Sequence, residues 1–385
     1  MTGAEPAAAV TWEQVLAFRL GRHLLAGEPG DAGHTVTGVA SRLCGLHAQI
    51  ASCAELAVTV RSDKLGPGDV AAAVTDRALV KTWAMRGTLH LLPAAEMPLW
   101  TAAGRLRRGH LTPSWLRYQG VTRDELDAIQ AAIPEVLSGA ELTREELAVA
   151  VSDRIGRPEM AERLRSGWGD LFKPSAYRGD LCFGSGRGRN VTFVNPRDWV
   201  DADWDSIAPD AALAEVVRRF VAAYGPVARE DFARWWGCQP AEAGRAMAAL
   251  GDELTPVDVA GHRGFVRAAD LAELTTAALP CGPHARLLPG FDPYVVAACP
   301  RNHEALLPPE RKEEIYRPQG WISAVLLDRG RICGVWRHEQ SRAAVTLSLQ
   351  GFGTVAARTR KAFGARAESL ARALGGTARI VWADA

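Results

Sequence analysis

His47, Ala48 and Gln49 set an imidazole and a carboxamide two residues apart, shortly after Gly45. A histidine with its ordinary pKa near ~6.5 can take a proton from water at neutral pH. A glutamine cannot act as a base, but its amide oxygen can orient a water molecule or face a developing cation. Whether the two side chains can serve one water depends on the backbone. On a helix of ~3.6 residues per turn, residues two apart diverge by ~200°. On extended backbone they point to the same face. Gly45 can stop a preceding helix and release the chain into the extended form, with Ala48 turned inward. Taken alone, a His-Ala-Gln tripeptide is better explained by a histidine that caps a helix or packs in a corner, so its surroundings have to be read.

Other side chains offer second possibilities. His90 alternates with Leu89 and Leu91, so on a strand it faces away from them, either as a satisfied structural histidine or lining a cleft. Arg86, beside Gly87, can approach a phosphate or close a turn through a salt bridge. Lys173, Tyr177 and Arg178 precede a glycine-rich stretch, 184–189, that carries Arg187 and Arg189. At such a tip the backbone can come close to a ligand and guanidinium groups can meet phosphates. Its G-x-G-x-G run joins two extended segments and opens no helix, so it is not a nucleotide loop. Asp292 and Tyr294 can line a cleft, although a turn at Asp292-Pro293 explains them as well. The tryptophans read mainly as core.

The composition narrows the classes. The chain has 385 residues, 48% of them hydrophobic, and its 45 basic and 44 acidic side chains leave a net charge of +1. This excludes a uniformly basic coat protein, a polyacidic disordered chain and a collagen-like fibre, but not a local basic patch. Only five of the basic residues are Lys. The seven Cys, at 44, 53, 182, 238, 281, 299 and 333, contain no C-x-x-C pair, so neither a disulfide framework nor a zinc site is expected, and a reducing compartment fits. The start lacks a basic n-region and does not read as a signal peptide. No apolar run approaches the ~20 residues of a membrane helix. A soluble, cytoplasmic protein is expected.

The elements repeat. Helical spacing covers 11–29, ending at Gly27, then 36–44, 51–61 and 69–80. Extended segments follow at 81–85 and 88–92. The next block has helices at 122–137, opened by a Thr122/Glu125 capping box, at 142–155 and at 158–168, then extended segments at 180–183 and 190–194. The layout recurs with helices at 210–224, 227–237 and 240–250 and a hairpin over 254–259 and 264–266. Helix, helix, helix, hairpin is the winged-helix order. From 280 onward the pattern alternates as strands at 321–327, 331–336 and 344–349, with a helix at 355–374 and a strand at 378–382.

The segments LCGLHAQIASCAELAVTVR (43–61), LVKTWAMRGTLHLLPA (79–94), LFKPSAYRGDLCFG (171–184), LLPGFDPYVV (287–296) and GRICGVWR (330–337) resemble, in order, the AlkZ/YcaQ-type winged-helix DNA glycosylases. The resemblance implies a mainly α fold with β wings (α+β): three tandem winged-helix units, over 1–110, 111–205 and 206–279, and a C-terminal β-barrel with one helix over 280–385. It implies hydrolysis of the N-glycosidic bond of bulky alkylated purines, such as N7-alkylguanine adducts and interstrand crosslinks, to leave an abasic site. The setting would be base excision repair or self-resistance to a genotoxin. The family's catalytic motif is Gln, an apolar residue, then Gln or Asp. His47-Ala48-Gln49 matches it with His in first place, and the resemblance assigns catalysis to His47 and Gln49. The DNA contacts would come from Arg86, Lys173, Tyr177, Arg178, Arg187 and Arg189, with His90, Asp292 and Tyr294 lining the cleft. An N7-alkylguanine is already cationic, so its departure needs no protonation and a weak water-handling pair suffices. No Lys lies in or beside the motif, so a monofunctional enzyme is expected, with no metal and no cofactor. It would act as a monomer on double-stranded DNA carrying alkylated bases, at the nucleoid and away from membranes. A winged-helix regulator, or a lesion-binding protein without catalysis, is the competing expectation.

Overall fold

The computed structural model describes residues 5–27, 35–298, 303–341 and 344–383. They divide into two compact units that interleave along the chain. One comprises Met1–Ala72, Arg218–Phe232 and Met247–Ala385, the other Ala73–Val217 and Ala233–Ala246.

The first unit opens with the strand Ala8–Val10, which the sequence pattern does not reveal. It pairs in parallel with Leu254–Val259, which pairs in turn with His262–Arg267. The helix Trp12–Arg22 follows, with a capping box between Thr11 and Gln14. It stops at Arg22, short of the expected Gly27, because Leu24 turns into the left-handed region (φ 59°) and Leu25 N–H bonds back to the Leu20 carbonyl at 2.8 Å. Residues 28–29 of the expected helix lie outside the described residues. Leu16 and Leu20 on this helix pack with Phe291, Tyr294, Val295 and Val325, while Val15 and Phe18 pack with Val257 and Val266.

The C-terminal part of this unit is one sheet in the order Ala285–Leu288, Val325–Asp328, Arg331–Gln340, Ala344–Gly351, Thr377–Ala383. It is open among the described residues, and no closed barrel forms there. The first four strands pair antiparallel, but the last runs parallel to its neighbour, Ala344↔Thr377 through Gln350↔Ala383. The helix Ala357–Ala373 makes that parallel crossover. Its Phe363, Ala367 and Leu370 cover Leu287, Leu326, Trp336 and Leu347 on one sheet face, so apolar burial is met by a helix.

In the second unit the hairpin Leu79–Trp83/Leu89–Pro93 precedes the helix Met97–Gly104. The helices Arg123–Val136 and Arg144–Arg154 both begin with complete capping boxes, Thr122/Glu125 and Thr143/Glu146. Their Leu126, Ile129, Leu147 and Val151 bury against Phe172, Phe193 and Trp83. A small sheet joins Leu142–Thr143, Thr192–Val194 and Cys182–Phe183, so strands fall within the expected extended segments 180–183 and 190–194. The helices Pro113–Gln119 and Lys173–Arg178 escape the pattern because each is short. The helices Pro209–Tyr224, Arg229–Trp236 and Pro240–Ala248 lie within about two residues of their expected limits.

Candidate active site

The His47 segment is set by a helix stop. The helix Val36–Arg42 closes with Cys44 N–H on the Ser41 carbonyl (3.1 Å) and Gly45 N–H on the Ala40 carbonyl (2.7 Å), the paired bonds of a Schellman motif. The left-handed residue that this motif needs is Cys44 (φ 59°), and Gly45 continues the turn at φ 100°. The chain leaves extended as Leu46–His47, and a new helix begins at Ala51. His47 is 7% exposed and Ala48 2%, while Gln49 is exposed.

The imidazole of His47 lies flat on Phe291, with ring centroids 4.7 Å apart and planes within 3°. Phe291 also meets the half-exposed Trp321 edge-on at 5.2 Å. Phe291 sits at φ 59°, a conformation a bulky residue adopts only when its surroundings hold it. The next residue does so. Asp292 is 0% exposed and receives both Arg61 Nη1 (2.7 Å) and Nη2 (2.8 Å), and its Oδ1 accepts from Tyr294 N–H at 3.0 Å. Arg61, at the end of the 51–61 segment, also donates to the carbonyls of Ala57 (2.7 Å) and His23 (2.9 Å). A buried bidentate pair therefore ties the Phe291 turn to the helix that follows His47 and Gln49. Glu55 on that helix holds the next turn: its carboxylate accepts from the backbone N–H groups of Gly68, Val70 and Ala71 at 2.8–3.2 Å. The Cys53 thiol is pushed up to about 11, first by burial and then by the Asp292 charge, and stays neutral.

Asp292 and Tyr294 thus differ from their expected place on a cleft. Both are buried, and Tyr294 donates its hydroxyl to the Gly330 carbonyl at 2.9 Å. They brace the turn that presents Phe291. In the second unit His90 is also buried, with Nδ1 3.0 Å from the Thr88 carbonyl. Its strand, Leu89–Pro93, is covered on both faces from His90 onward, so alternation there does not separate inside from outside.

Three of the expected DNA contacts come together in that second unit. Arg86 (φ 56°) and Gly87 (φ 71°) form a tight turn against Tyr177 and Lys173. A Cβ on Gly87 would stand 2.8 Å from the Tyr177 hydroxyl, and with φ at 71° the turn favours glycine. Lys173 pairs with Asp170 at 2.6 Å, and Arg178 with Asp180 at 2.9 Å. Arg187 is folded back onto its own unit, on Glu146 Oε1 (2.8 Å) and the Glu141 carbonyl (2.7 Å), and Arg189 is exposed. The sequence reading missed Phe291, Arg61 and Trp321. Arg61 had a signal, a cation closing a largely apolar segment.

The family model of AlkZ-like DNA glycosylases matches residues 40–373, and the chain belongs to that family. It is a DNA glycosylase, a hydrolase acting on N-glycosyl bonds, with DNA as its substrate. The interstrand DNA cross-link repair glycosylase of Streptomyces sahachiroi is 38% identical over 340 residues, 87% of this chain and 90% of that protein. The solved structure of the Streptomyces sahachiroi DNA glycosylase AlkZ matches with a TM-score of 0.88 at 36% identity, covering 98% of this chain and all of the other. Among the described residues no helix is long and apolar enough to cross a membrane.

Proposed function

We propose that the protein excises bulky, N7-alkylated purines from double-stranded DNA, interstrand crosslinks among them, as a monomeric and monofunctional glycosylase in base excision repair or genotoxin self-resistance. The observation that carries the reading is the extended exit from the Schellman turn, which sets the buried His47 flat on Phe291 two residues before the exposed Gln49. The crosslink substrate follows the name of the Streptomyces relative. In this reading 1–110, 111–205 and 206–279 are winged-helix units and 280–385 the C-terminal domain.

In the proposed step a water oxygen bonds to C1′ of the sugar as the C1′–N9 bond breaks. The bonding pair of C1′–N9 goes to the purine and cancels its positive charge. The water's proton passes to His47, and Gln49 holds the water through its amide oxygen. The products are an abasic site and the neutral adducted base. Phe291 fixes the plane of the imidazole, so its nitrogens work at the ring edge. Arg86, Lys173, Tyr177, Arg178, Arg187 and Arg189 would hold the DNA backbone. His90, buried in the second unit, would support the Arg86–Gly87 turn through its contact with the Thr88 carbonyl.

The test is single-turnover release from duplexes carrying defined N7-guanine adducts, from methyl to bulky and crosslinked, read as abasic sites. His47→Ala and Gln49→Ala should each slow release, by up to the ~10²–10⁴ typical of a general base. The losses should not add, since both residues serve one water. With His47 as the base, the rate falls at low pH while DNA affinity holds. Full activity in the double variant would sink the assignment. Binding to adducts with no release by the native protein would favour the lesion-binding alternative.

A further inference from the structure

The second unit contains a cavity of about 470 Å³, lined in part by Tyr177 and Arg178, that takes no part in the proposed bond cleavage. It lies among the chain 104–111, the start of the helix Arg123–Val136, the helix Lys173–Arg178 and Arg197. Six guanidinium groups line it: Arg105, Arg107, Arg108, Arg123, Arg178 and Arg197. Three carboxylates answer them. Asp127 takes Arg123 (2.8 Å), Asp180 takes Arg178 (2.9 Å), and Asp205 is shared by Arg197 (3.4 Å) and Arg105 (3.6 Å). Six cations against three anions leave a surplus of three positive charges around one concavity.

The wall is built rather than incidental. Arg107 is fixed by its bond to the Ala84 carbonyl (3.0 Å) and by stacking 4.3 Å above the Tyr177 ring. Arg108 makes no ion pair among the described residues and is exposed. Gln130 is 5% exposed; its Oε1 accepts from Arg178 Nη1 (3.3 Å), and its buried Nε2 has no acceptor among the described residues. His110, on the same wall, is pushed down to about 4, first by burial and then by Arg107, Arg108, Arg123 and Arg178. The imidazole therefore senses a positive field. Planar guanidinium forks match the oxygens of a phosphate, and few apolar groups line the cavity to favour another ligand.

We propose that this arginine basin is a phosphate site that seats a backbone phosphodiester of the DNA on which the enzyme acts. The inference rests on the reading of the protein as a DNA-acting enzyme. It adds a fixed phosphate contact that does not touch the reacting base. Such a contact sets register and orientation and carries no sequence information.

The experiment follows the His110 ring by NMR in the full-length protein, alone, with an undamaged duplex, and with inorganic phosphate. An anion in the basin stabilises the imidazolium, so the duplex should raise the titration midpoint from its value of about 4. The Arg105→Gln/Arg108→Gln variant should lose that rise. Its plot of log affinity against log salt should flatten by about 0.9 for one lost phosphate contact. A midpoint that moves with inorganic phosphate but not with duplex would overturn the backbone assignment in favour of a free-phosphate site. Duplex binding with an unmoved midpoint and an unchanged slope would overturn the basin alone. No duplex binding by the native protein would overturn the DNA reading and this inference together.

Discussion

Replacing Asp292 by Ala removes the carboxylate from a pair in which both side chains are 0% exposed. Arg61 then keeps its bonds to the Ala57 and His23 carbonyls, while the two bonds of 2.7 and 2.8 Å to the carboxylate are lost. A buried guanidinium without its counter-charge costs about 3–5 kcal/mol. At ~1.4 kcal/mol per tenfold, that is a fall of roughly 10²–10⁴ in protection against local opening. Hydrogen exchange read by mass spectrometry suits the question, because a chain of two units need not melt in one transition. Peptides covering the helix Ala51–Thr59 and the 287–296 turn should lose protection together. The Arg61→Met/Asp292→Leu variant removes both charges and should recover part of the loss, though the Ala57 and His23 carbonyls stay without their donor. A fall of less than tenfold in both peptides would show that the pair does not hold the Phe291 turn. A double variant no better than Asp292→Ala would trace the loss to packing, not to an unpaired charge.

Two further outcomes follow from charges the structure displaces. His23 and His110 are both held below the ordinary histidine range, chiefly by burial, so between about pH 6.5 and each folded value the unfolded chain binds more protons than the folded one. Stability should therefore fall as pH drops from about 6.5 toward 4, with a smaller fall in His23→Phe and His110→Gln, as urea titrations at several pH values would show. Arg187 already spends its charge on Glu146. Arg189→Ala should then lower the salt slope of DNA binding by up to about 0.9, and Arg187→Ala by less; equal effects would mean that the Glu146 pair opens on DNA.

Local chemistry made much of the fold legible in the sequence. Capping boxes at Thr122 and Thr143 mark helices because they satisfy the orphan N–H groups of one turn, and no distant partner is needed. Glycine-rich breaks located the hairpins, and the His-Ala-Gln segment with its flanks pointed to the family. Elements defined by long-range partners were not legible. The strand Ala8–Val10 exists only because Leu254–Val259 lies beside it, and Thr377–Ala383 runs parallel to Ala344–Gly351 at the opposite edge of the C-terminal sheet from Ala285–Leu288. The same limit governs the site. The spacing of His47 and Gln49 offers an imidazole and an amide close in the chain, the first on extended backbone and the second on the bend that follows. That His47 lies against Phe291, that Arg61 pins the turn through Asp292, and that Tyr294 packs inward on His23 depend on residues more than 200 positions apart in the chain meeting in one core. A buried charge is tolerated only where its partner is delivered, and that delivery is a property of the tertiary structure.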